Sequence, residues 1–144
     1  MILNIRKATE EDCSLLFKWV NNEDVRKNVL NPERINWTKH ESWFRKKIDD
    51  PNSVIYILEK DNYPIGQVRY DRNEEDFWDI DFFIDPNFRS LGFGKKIIEL
   101  TLGEITGSVR ALVKKDNVVS RKVFEKLGFQ GLESKEGIFQ YIFR

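Results

Sequence analysis

The stretch Ile84-Asp85-Pro86-Asn87-Phe88-Arg89-Ser90-Leu91-Gly92-Phe93-Gly94-Lys95 carries the residue types best suited to chemistry. An apolar strand ends at Ile84, Pro86 breaks it, and Gly92 and Gly94 stand at the mouth of a helix. Glycines there let a ligand approach the backbone, where the first helical N–H groups lack carbonyl partners. These donors sit at the positive end of the helix and suit a pyrophosphate, to which Arg89 and Lys95 add formal charge. The pattern is not a Walker loop, because Gly-Lys-Ser/Thr is absent. It is not a dinucleotide fingerprint either, because no third glycine or downstream ribose-binding acid fits.

A mixed α/β (α+β) order of elements must position this stretch. Leu3 to Ala8 reads as a strand, and Thr9 opens a helix with Leu15, Leu16, Trp19 and Val20 on one face. The segment from Asn21 to Asn36 reads as irregular. A second helix starts at Thr38, with Glu41 at capping-box spacing, and ends before Pro51. Val54 to Glu59 and Ile65 to Tyr70 form a hairpin, followed by a strand from Trp78 to Ile84. Its alternation puts Ile80, Phe82 and Ile84 on one face and Asp79, Asp81 and Phe83 on the other. A helix from about Phe93 to Thr106 leads to a strand at Val109 to Val113. Asp116 to Leu127 is the last helix, closed by Gly128, and strands at Phe129 to Leu132 and Ile138 to Phe143 finish the sheet. An exposed edge near Ile138 to Phe143 would allow dimerisation, so monomer and homodimer both stay open.

The 144 residues suit one domain over 1–144, and no apolar run reaches the ~20 residues of a membrane span. The start turns polar at once, so a cytoplasmic protein without a membrane partner is expected. A single cysteine forbids an internal disulfide, and with a single histidine it leaves no zinc-type ligand set, so no metal is expected. The formal net charge of zero disfavours a nucleic-acid binder. Charge is uneven, however. Asp71, Glu74, Glu75, Asp76, Asp79 and Asp81 face only Arg72, whereas Arg89 to Lys126 is predominantly basic. That pairing reads either as solvated surface or as an anion site beside an acidic rim suited to a cation.

Arg89-Ser90-Leu91-Gly92-Phe93-Gly94 resembles the Arg/Gln-x-x-Gly-x-Gly/Ala motif of the GNAT N-acetyltransferase superfamily. Asp116-Asn117-Val118-Val119-Ser120-Arg121-Lys122-Val123-Phe124-Glu125-Lys126-Leu127-Gly128-Phe129 is similar to that superfamily's second motif, with the asparagine at the helix start and the closing Leu-Gly-Phe. The resemblance implies a central mixed, twisted sheet flanked by helices, with acetyl-CoA in a notch between two splayed parallel strands. The pantetheine arm would pair with backbone groups near Phe82 and Ile84. Arg89, Ser90, Leu91, Gly92, Phe93, Gly94 and Lys95 would serve the pyrophosphate, with Asn117 and Lys122 as further contacts. A backbone N–H at or next to Ile84 would polarise the thioester carbonyl. An amine would then attack the thioester directly within a ternary complex.

Leu16-Phe17-Lys18-Trp19, Asn28, Trp37-Thr38-Lys39-His40-Glu41-Ser42-Trp43-Phe44 and Gly66-Gln67-Val68-Arg69-Tyr70 are similar to bacterial acetyltransferases of nucleotide-linked amino sugars in pseudaminic-acid-type pathways. That narrower resemblance implies a small-molecule acceptor, a nucleotide sugar, met by Asn28, His40, Trp43, Arg69 and Asp81. Protein N-terminal amines and polyamines are the rival acceptors, and a non-catalytic acyl-CoA-binding module is the rival outside enzymes. Phe124 stands where many relatives carry the tyrosine that protonates the leaving thiolate. Tyr141, Tyr70 or water could replace it, and His40, Glu41, Asp79 and Asp81 are the candidate bases. His40 and Trp43 also read as packing residues, as does Cys13.

Overall fold

The computed structural model describes residues 1–28 and 34–144, without the side chains of residues 24, 27 and 28. Seven strands form one sheet: β1 (Leu3–Lys7), β2 (Ser53–Lys60), β3 (Tyr63–Arg72), β4 (Phe77–Ile84), β5 (Ser108–Lys114), β6 (Gln130–Glu133) and β7 (Ile138–Phe143). Among the described residues five α-helices accompany it: α1 (Cys13–Val20), α2 (Glu23–Asn28), α3 (Trp37–Asp49), α4 (Phe93–Leu102) and α5 (Val118–Lys126). The strand order is β1-β2-β3-β4-β5-β7-β6. Only β4 and β5 pair in parallel, as their connection through α4 requires.

That parallel pair is short. Phe77, Trp78 and Asp79 match Ser108, Val109 and Arg110, after which β4 runs on to Ile84 and β5 to Lys114 with no further pairing. The sheet therefore opens into a notch at the C-terminal ends of its two parallel strands. Apolar side chains fasten it from both sides. Phe93, Ile97 and Ile98 of α4 and Phe124 of α5 pack on Val109, Ala111, Val113 and Tyr141. On the opposite face, Leu16 and Trp19 of α1 and Phe44 of α3 pack on Ile55, Ile57 and Phe83. Each fully buried side chain of this size is worth about 1.5–3 kcal/mol of transfer free energy.

Several expectations change. The segment after Asn21 contains the six-residue helix α2, whose Glu-Asp-Val-Arg-Lys-Asn sequence has a single apolar residue and so shows no helical period. α3 starts at Trp37 rather than Thr38, because Asn36 Oδ1 accepts from the Lys39 N–H at 2.9 Å and takes the capping role. β7 is not an edge. It pairs with β5 on one side and β6 on the other, so β1 and β6 are the edges and the expected dimerisation strand is internal.

Candidate functional site

A cleft of about 560 Å³ occupies the notch, lined by the ends of β4 and β5, the Phe88–Lys95 turn, α5 and Val25 of α2. Its floor follows from strand alternation. The Asp85 N–H donates to the Ile65 carbonyl at 2.8 Å, so odd-numbered residues of β4 direct their backbone groups to β3. Phe82 and Ile84 consequently direct theirs to the open side. Arg89 Nε donates to the Ile84 carbonyl at 2.9 Å, and its guanidinium lies 5.2 Å from the centre of the Phe83 ring. Arg89 thus ties the turn to the end of the strand, rather than standing as a loose charge.

The turn delivers the α4 N-terminus to the cleft. Ser90 and Gly92 take positive φ values of 63° and 85°, with open space around Gly92, so Gly92 serves the backbone bend. The first helical bond is Lys96 N–H to the Gly92 carbonyl at 3.1 Å, leaving the N–H groups of Phe93, Gly94 and Lys95 without intrahelical partners. Gly94 has a different reason to lack a side chain. A Cβ there would lie 2.9 Å from Phe82 Cε2, so glycine lets α4 close on β4. Lys95 pairs with Glu99 at 3.2 Å, one turn along the helix. Leu91 is 64% exposed and is not part of the wall.

The second wall is α5. Asn117 is its N-cap, with Oδ1 accepting from the Ser120 N–H at 3.3 Å, which leaves the amide Nδ2 donors for a ligand. Val119, Ser120, Lys122, Val123 and Lys126 line the same side. The sequence names Asn117 and Lys122 here but not Val119, Ser120, Val123 and Lys126, although Ser120 lies three residues after Asn117, Val119 three before Lys122 and Lys126 four after it. Phe124 borders the cleft edge-on to Phe82, with ring centres 5.7 Å apart. It brings no hydroxyl.

Neither tyrosine named as a substitute acid borders the cleft. Tyr141 is fully buried behind Phe124, donates to Glu125 Oε2 at 2.7 Å and accepts from Arg121 Nε at 3.2 Å. Burial pushes its phenol pKa up. Tyr70 shares a hydrogen bond of 2.8 Å with Thr101, and burial pushes its phenol up to about 12.

His40 also lies elsewhere. It is 2% exposed, enclosed by Phe17, Trp37, Trp43 and Phe44, and its Nε2–H donates to the Cys13 carbonyl at 2.9 Å. This bond pins α3 to α1 and leaves no path to a substrate in the cleft. Burial pushes the imidazole pKa down, against a smaller opposing effect of the Cys13 bond. The unfolded ring takes up its proton near pH 6.5 and the folded ring only at lower pH. Stability is therefore insensitive to His40 above about pH 7 and falls as the pH drops below about 6.5. A His40→Gln protein, which keeps a donor, should lose less melting temperature between pH 7 and pH 5 and retain its kcat at pH 7. A fall in kcat would return His40 to the chemistry.

On the acceptor side, Asp81 lines the cleft, and its side chain is 54% exposed. It is the carboxylate among the described lining residues, against Arg89, Lys95, Lys122 and Lys126. Arg69 and Trp43 do not line the cleft. The Arg69 guanidinium lies 5.0 Å from the Trp43 ring centre and donates to Asp71 at 2.7 Å, with Asp81 at 3.9 Å. Asn28 ends α2, and its side chain lies outside the described residues. The acidic run is largely neutralised. Asp71 also meets Lys47, Asp76 meets Arg72, and Asp79 and Glu75 meet Arg110. Asp79 is committed to that pair, and Glu41 faces Arg45, so neither of these candidate bases reaches the cleft. The turn carrying Asp76 lies at the far end of β4, on the order of 20 Å from Phe82.

A family model described as an acetyltransferase (GNAT) domain matches residues 3–130. Among curated proteins none matches significantly. A domain from Methanocaldococcus jannaschii is similar in structure at a TM-score of 0.84 and 25% identity, over 99% of this chain and 97% of that one. A Salmonella typhimurium protein solved with its cofactor acetyl-CoA aligns at 0.80 and 13% identity, over 99% and 93%. Spermidine N-acetyltransferase from Vibrio cholerae, solved with CoA and spermine, aligns at 0.85 and 18% identity, over 98% and 94%. A notch between splayed parallel strands, a glycine-opened helix end facing it and the match over most of the sequence agree: the chain belongs to the GNAT acetyltransferase family and is an acetyl-CoA-dependent N-acetyltransferase.

Proposed function

We propose that the acceptor is the primary amine of a nucleotide-linked amino sugar, and that the amine attacks acetyl-CoA directly in a ternary complex. The observation that carries the chemistry is the cleft itself, with cations and helix N–H donors at one end and the Asp81 carboxylate at the other. The N–H groups of Phe93, Gly94 and Lys95 hold the pyrophosphate, aided by Lys95, Lys122 and Lys126. Phe82 and Ile84 offer backbone groups to the pantetheine arm, and Asn117 offers its amide donors. Asp81 receives the incoming ammonium and takes its proton, directly or through a water. The nitrogen then forms its bond to the thioester carbonyl carbon while the Ile84 N–H stabilises the oxygen that gains charge. The nitrogen gives up its second proton to water, the C–S bond breaks as the carbonyl re-forms, and the CoA thiolate leaves and takes a proton from water. A thiol pKa near 8.5 makes that departure tolerable without a tyrosine at position 124.

The amino-sugar reading is supported by the resemblance of the front half. It is also supported by the neutralised acidic run, which removes an electrostatic objection to an anionic nucleotide. Incubation with acetyl-CoA and a panel of UDP-4-amino-dideoxy sugars, polyamines and short peptides, read by mass spectrometry, tests it. An acetylated sugar is expected. Acetylated polyamine or peptide alone overturns the acceptor and keeps the fold and chemistry.

A further inference from the structure

Asp81 belongs to a row of side chains that crosses five strands. Arg69 pairs with Asp81, Leu112 with Gln140, and Gln140 with Leu132. Asp79 pairs with Arg110, so Asp81 and Leu112 come next in that parallel register, on either side of the notch. Residues in register share a face, and the Arg110–Asp79 ion pair at 2.7 Å lies on this one. Val109, Ala111 and Val113 point the other way, into the α4–α5 core. Trp43 covers the Arg69 end of the row, and the apolar cluster beneath α1 and α3 stops at Phe83 of β4. Beyond it, Leu112 is 44% and Leu132 69% exposed. Asp81 and Leu112 both line the cleft, so the surface over β5, β7 and β6 continues it outward. With strands ~4.8 Å apart, Leu112 and Leu132 stand about 10 Å from each other.

We infer that Leu112, Gln140 and Leu132 form a second acceptor subsite, which takes the nucleobase of an acceptor whose ammonium is held at Asp81. The inference rests on the nucleotide-sugar reading and adds where the far moiety binds. The sequence of groups along the row is carboxylate, alkyl, amide, alkyl. A flat, uncharged heterocycle matches it: the two leucines supply apolar contact, and the Gln140 amide supplies one acceptor and two donors to a base edge. A polyamine does not match it, because its second ammonium would meet no carboxylate along the row past Asp81.

Leu132 lies on an edge strand with its side chain in solvent, so Leu132→Asn tests the row with little risk to folding. The comparison is between a UDP-linked 4-amino sugar and the same amino sugar without the nucleotide, each with saturating acetyl-CoA. The KM for the nucleotide-linked acceptor should rise about fivefold, with the free sugar's KM and the acetyl-CoA Kd unchanged. Gln140→Leu should act on the same acceptor alone. An unchanged KM for the nucleotide-linked acceptor, or equal rises for both sugars, overturns the subsite. If only a polyamine reacts, both the amino-sugar reading and the subsite fall. If only a peptide reacts, the amino-sugar reading falls and so does the nucleobase assignment. The two fail separately when the nucleotide-linked sugar is acetylated but both variants leave its KM untouched.

Discussion

Replacing Asp81 with Asn should lower kcat/KM for the amine acceptor by about 10²-fold, the scale of a lost general base, and leave the affinity for acetyl-CoA unchanged. The side chain is 54% exposed, so removing its charge does not leave a buried vacancy. Its neighbour Arg69 is not orphaned, because Asp71 accepts from it at 2.7 Å. The loss is therefore assigned to the acceptor and its proton, and steady-state kinetics with calorimetric titration of acetyl-CoA separates the two ends of the cleft. An equal loss of acetyl-CoA affinity would show that Asp81 shapes the whole site instead.

Reversing the charge at Arg89 should act on the turn that leads into α4. Arg89 donates to the Ile84 carbonyl and lies over Phe83, so it joins the phosphate-binding turn to the strand that receives pantetheine. A charged hydrogen bond of this kind is worth about 1.5–3 kcal/mol and the ring contact roughly 0.5–1 kcal/mol. Arg89→Glu removes both and sets a carboxylate against the Ile84 carbonyl, loosening the turn that delivers the α4 N-terminus. At about 1.4 kcal/mol for each factor of ten, the Kd for acetyl-CoA should rise by at least about 10²-fold. Arg89→Gln keeps a donor for the Ile84 carbonyl and should lose about tenfold. Equal losses in the two proteins would mean that the hydrogen bond is idle.

The parts of the site legible in the sequence are those fixed by local chain geometry. A proline, a pair of glycines and an asparagine in cap position announce a strand end, a helix mouth and a helix start wherever the rest of the chain lies. Gly92 and Gly94 are readable for that reason, whereas Phe82, Ile84 and Asn117 enter the site through the family resemblance, and all five border the cleft. What the sequence hides is set by partners far along the chain. Asp79 finds Arg110 across 31 residues, which turns an apparently open acidic rim into paired surface. His40 looks like a chemical residue in a helix, and only the docking of α1 shows it as the donor to Cys13. Its spacing of four from Phe44 was the clue that both face inward. The internal position of β7 depends on strand order, which local pattern does not encode. The row from Asp81 to Leu132 emerges only once that order is known.

The most direct test of the central claim is an amide NMR titration of the ¹⁵N-labelled protein with acetyl-CoA. The largest shift changes should fall on Phe93, Gly94 and Lys95 at the α4 N-terminus and on Phe82 and Ile84 at the end of β4, with α1 and α3 unmoved. Changes centred on α1 and α3, with the α4 N-terminus silent, would contradict the account.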